Sequence, residues 1–82
     1  MKAVTPQQAE ELAKKAVGDY LNTCHLQDAS QIGDVLMKLC SVAGVMMANA
    51  EGSEQAFDRL LGTAQFVLKS MPKKAAHLGP MQ

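Results

Sequence analysis

The chain is 82 residues long, with eight basic and eight acidic side chains, 48% apolar residues and no Trp. That length makes one domain, and at this size a single core is marginal without oligomerisation, a metal or disulfides. Zero net charge argues against nonspecific nucleic-acid or membrane-surface binding, which draws on excess positive charge, and two cysteines allow at most one bridge, so the chain is no disulfide scaffold.

The sequence predicts three helices. The first spans residues 6–24. Thr5 suits an N-cap, Pro6 the first helical position, and Gln8 completes a capping box. Glu10 with Lys14 and Glu11 with Lys15 stand four apart in the favoured order. Ala9, Leu12, Ala13, Ala16, Val17, Tyr20 and Cys24 share a face expected to be buried.

The second helix spans residues 29–50, with Asp28 as cap and Gln31 at capping-box spacing. Ile32, Val35, Leu36, Leu39, Ala43, Met46, Met47 and Ala50 follow helical periodicity and form the expected primary core stripe. Apolar residues nevertheless point in nearly every direction between Leu39 and Ala50, because Val42 and Val45 lie off the stripe. A helix with one buried face would not carry them, so this one is either central or packs on a second chain. Gly33 and Gly44 each weaken it by about 1 kcal/mol relative to Ala, a cost often tolerated for close packing.

The turn around Gly52 is expected to take a positive φ there, with Ser53 capping the third helix, residues 54–71. Phe57, Leu60, Leu61, Ala64, Val67, Leu68 and Met71 form its expected buried face, and Pro72 stops it. The domain is therefore residues 1–71. Residues 72–82 have no period and are expected to form a loosely ordered C-terminal tail.

Chemistry is sparse. Cys24, His25, Cys40 and His77 are the only soft ligands, and no Cys-x-x-Cys or His-x3-His spacing exists, so no metal or other cofactor is expected. Helical geometry places Cys24 and Cys40 too far apart for an intramolecular disulfide, so two free thiols are expected. Neither His falls beside a Ser or Cys with an orienting third group, the carboxylates read as solvated faces or helix N-termini, and the glycines are scattered. No catalytic residue emerges, and the chain is read as a non-enzyme.

The expected architecture is a small three-helix bundle that leaves Met37, Val42, Val45 and Phe66 without a place. Single exposed apolar residues need no explanation; four in so short a chain point to a self-association interface. The function read from this is binding without catalysis: a self-associating adaptor or inhibitor that blocks a macromolecular partner, of the kind phages and plasmids encode. One alternative is a small-ligand or nucleotide binder with its pocket between protomers, where Lys69, Lys73, Lys74 and His77 supply positive charge. The other is a small DNA-binding regulator, disfavoured because Glu54 and Asp58 would stand at the reading end of the third helix. No signal peptide is read at the N-terminus, and the longest nearly apolar run, about a dozen residues, falls short of the ~20 that span a bilayer. Partners are therefore expected to be a second copy and another protein, in the cytoplasm, with no membrane.

Overall fold

The computed structural model describes residues 2–74. Three helices follow in chain order: α1, Pro6–Cys24; α2, Ile32–Glu51, entered through a single 3-10 turn at Ala29–Gln31; and α3, Ser53–Ser70. No strand occurs among the described residues. The expected elements are all present, with ends within a residue once the 3-10 turn is counted with α2.

Local chemistry sets these ends. The Thr5 hydroxyl accepts from the Gln8 N–H at 3.1 Å, and the Gln8 side chain accepts from the Thr5 N–H at 2.9 Å, closing the capping box. α1 stops at His25, which takes the left-handed conformation at φ 51°. Asp28 caps the 3-10 turn through the Ser30 N–H at 2.8 Å, and Gln31 reaches back to the Asp28 N–H at 3.2 Å. The bond from the Ser30 N–H holds the Asp28 carboxyl below its ordinary pKa.

One residue, Gly52, separates α2 from α3. Its φ of 96° lies where side-chained residues are strained, and there the chain reverses. The Gly52 N–H closes α2 by donating to the Ala48 carbonyl at 2.8 Å, while the Gly52 carbonyl accepts from the Ala56 N–H at 3.1 Å. Gly52, rather than the expected Ser53, thus occupies the N-cap of α3, and Ser53 is its first residue without a side-chain cap bond.

The helices pack in chain order, α1 on α2 and α2 on α3, and α1 does not reach α3. α2 and α3 form a tight antiparallel hairpin. Ala56, one turn beyond Gly52, is its only fully buried residue at 4% exposure, since a methyl group is all that fits where the backbones diverge from a one-residue turn. A β-carbon on Gly44 would stand 3.1 Å from Leu60 Cδ1, so the expectation of close packing holds at Gly44, whereas Gly33 faces open space. Arg59 closes the hairpin's end, donating through Nε and Nη2 to both oxygens of Glu51 at 2.7 Å. This bidentate bond lowers the Glu51 pKa and raises that of Arg59.

α1 is attached differently. Val17, Tyr20, Leu21 and Cys24 in its last two turns are partly covered, and every described residue N-terminal to Val17 is exposed. The Tyr20 hydroxyl donates to the Val35 carbonyl at 2.7 Å. Partial burial raises the Tyr20 pKa, with the Cys24 thiol alongside adding to it. The expected buried face of α1 is therefore covered only at its C-terminal end, and Ala9, Leu12, Ala13 and Ala16 stand in solvent.

The core corrects the sequence reading most. Thirteen large apolar residues are exposed among the described residues, including Met46, Phe57, Leu61, Leu68 and Met71, all expected inside. The surface is 7313 Å², against about 4,800 Å² for a compact monomer of 8.8 kDa. The radius of gyration is 14.7 Å, against about 12 Å for a compact chain of this length. Among the described residues, no fourth helix covers the sides of α2 and α3 that face away from each other.

Candidate interaction surface

The exposed apolar residues fall into stripes rather than a scatter. On α3, Ala56, Leu60, Thr63 and Val67 recur at helical spacing toward α2. Phe57, Leu61, Ala64 and Leu68 form a second stripe at spacings of four, three and four, turned about 100° from the first. Phe57 and Leu68 are 62% and 61% exposed, and Leu61 is 42% exposed. The expected single buried face of α3 is thus two adjacent stripes; α2 buries the first only at Ala56 and leaves its Leu60 and Val67 40% and 50% exposed. The signal was present in the sequence: an apolar arc this wide exceeds what one partner helix can cover.

On α2, Met37, Val42 and Val45 are each about 60% exposed. At about 100° per residue, Val45 lies about 80° from Met37 and 60° from Val42, which puts Met37 and Val42 about 140° apart. The four candidate interface residues therefore do not share one face. Met37 and Ser41 line an apolar groove of about 480 Å³ between α2 and α3, together with Cys40, Leu60, Ala64 and neighbouring α3 residues. Val45 follows Ser41 by four residues along the same side of α2, while Val42 is turned away from α3. Phe66, 63% exposed, lies on the flank of α3 about 180° from Phe57.

Charge is distributed by end. Glu54 and Asp58 occupy the first turns of α3, and Lys69 its last, followed by the exposed Lys73 and Lys74. His77 lies outside the described residues. Acidic residues at the N-terminus and basic ones at the C-terminus complement the helix dipole. Both thiols are free, Cys24 partly covered and Cys40 exposed in the groove wall. Among the described residues, no three His, Cys, Asp or Glu side chains converge on a point that would hold a metal ion.

The α2 region, Ala29–Glu51, is long and apolar enough by length and composition to cross a membrane, although the sequence run read as too short. Counting the 3-10 turn lengthens the segment, and Asp34 and Lys38 stand within its first half. Comparison with protein-family models, with curated proteins and with solved structures finds no match for this chain.

Proposed function

We propose that this chain is a non-catalytic helical binding protein that self-associates and acts as a small adaptor or inhibitor, binding or blocking a macromolecular partner in the cytoplasm. One observation carries the reading: Ala56 is the only buried residue among the described residues, while large apolar side chains on α2 and α3 stand in water. Fully burying one Leu, Phe or Met gains about 1.5–3 kcal/mol. A chain with its apolar surface so deployed gains its stability by meeting another. Association of copies covers one broad face of the hairpin and leaves α1, Val42 and the opposite flank of α3 with Phe66 for the partner.

The test has two parts. Light scattering at micromolar concentration should give a multiple of 8.8 kDa, and immobilised protein should retain one partner at fixed stoichiometry. A cooperatively folded monomer at high concentration, or a chain that partitions entirely into membranes through α2, is the result that overturns the reading.

Lys69, Lys73 and Lys74 favour a second reading, because association of copies multiplies the one basic cluster and creates a site for a small anionic or nucleotide ligand between protomers. Protein purified under native conditions would then carry nucleotide absorbance, which is easily seen because the chain has no Trp. Replacement of Lys73 and Lys74 by Ala would remove the absorbance and leave helicity unchanged.

A further inference from the structure

Resting on the self-association reading, we infer that the occupant of the exposed α3 stripe is the α3 stripe of a second copy, laid antiparallel across a two-fold axis midway between Leu61 and Ala64. Three independent features of the hairpin lead there.

The first is spacing. Phe57, Leu61, Ala64 and Leu68 are separated by four, three and four residues, a series that reads the same from either end. Antiparallel self-pairing therefore sets Phe57 against Leu68 of the second copy and Leu61 against Ala64, a large residue facing a smaller one at each level. A two-fold interface requires this reciprocity, in which i meets j and j meets i.

The second is charge. Asp58 and Lys69 lie on one flank of the stripe, within about 20° of each other around the helix. Eleven residues separate them, about 16 Å along the axis, too far to pair within one chain. Antiparallel pairing about the same axis brings Asp58 of each copy beside Lys69 of the other and Glu54 toward Lys73. Parallel pairing would stack like charges at both ends, which is destabilising.

The third comes from α2. Gly44 is level with Leu60, so in the antiparallel hairpin Ser41 is level with Thr63, beside the proposed axis. Met37 and Val45 stand one turn to either side of Ser41, and Met37, Ser41 and Ala64 line the same groove. The axis that pairs the α3 stripes thus also sets Met37 against Val45 of the second copy. The product is a four-helix assembly in which every neighbour is antiparallel.

Equilibrium sedimentation of four variants tests the geometry. Leu61→Glu, at the axis, should weaken self-association at least about 100-fold with helicity retained. Asp58→Lys and Lys69→Glu, both on the exposed flank, should each weaken it about tenfold at low salt, since each dimer contains the pair twice. The doubly swapped chain should return to within about twofold of the starting affinity. This rescue is the decisive reading if Leu61→Glu fails to fold, because no contact within one chain could produce it. An oligomer that survives Leu61→Glu, or a double swap without rescue, overturns the proposed interface and leaves self-association standing. A starting protein that is monomeric throughout overturns both.

Discussion

The α2–α3 hairpin and α1 are made of equally good helix, yet they hold their places by different means. The hairpin is fixed by steric fit: a one-residue turn at Gly52, a methyl group at Ala56, and Gly44 beneath Leu60. α1 is fixed at one end, by a tyrosine hydroxyl on a backbone carbonyl and a few half-covered side chains. Close backbone approach resists change at the atoms that touch, whereas a single polar contact with a loose apolar margin can open without disturbing the rest. The hairpin is therefore the structural unit of the monomer, and α1 is an arm carried on it.

The largest expected effect separates these two regions directly. Ala56→Glu would bury an unpaired charge at the crossing and should destabilise the chain by more than about 3 kcal/mol, read as loss of the cooperative transition in circular dichroism. Ala16→Glu, on the exposed face of α1, should change stability by no more than about 0.5 kcal/mol. Equal effects would show that α1 is packed as firmly as the hairpin. Next in size, Gly44→Val drives a branched side chain into Leu60 and should cost about 1–3 kcal/mol. Gly33→Ala, with nothing within 4 Å, should instead stabilise α2 by up to about 1 kcal/mol. A loss at Gly33 would mean that a neighbour from another chain approaches there.

Smaller effects probe the arm. Tyr20→Phe removes the bond to Val35 and should speed amide exchange in the last turns of α1 while leaving the hairpin protected. As the only tyrosine, Tyr20 also reports on its own ionisation. Its folded pKa lies above the ordinary 10.0, so its contribution is complete below pH 10 and is lost as pH rises through the folded value. The alkaline midpoint for release of α1 should therefore coincide with the phenolate signal; release well before that signal would remove Tyr20 from the attachment. The smallest effect concerns Glu51, whose folded pKa lies below 4.5 through the Arg59 bond. Its contribution is present above 4.5 and is lost as pH falls through the lowered value. The hairpin should lose a little thermal stability there, and Glu51→Gln should flatten that part of the pH profile.

The helices were legible in the sequence because their ends are written in short-range chemistry. Thr5 with Gln8, Asp28 with Gln31, and Gly52 each act on neighbours within four residues. The burial pattern was not legible, because periodicity reports which side chains share a face and says nothing about how many faces find a partner. Phe57 and Leu61 have the same spacing whether a helix covers them or water does. Met37, Val42, Val45 and Phe66 were read as a surplus left over from a full core, and the structure makes them part of a wider exposed apolar surface. Gly44 and Gly33 were likewise indistinguishable until Leu60 came within 3.1 Å of one of them.

The turn at Gly52 also bears on the order of events during folding. With a single residue between the helices, the first α2–α3 contacts join residues close in sequence, so little chain entropy is lost in closing them. Hairpin formation should be a fast unimolecular phase on the microsecond scale of local helical events, insensitive to protein concentration. Any meeting of two chains must follow as a slower second-order phase. Temperature-jump relaxation at a series of concentrations would then resolve one amplitude whose rate is constant and another whose rate rises with concentration.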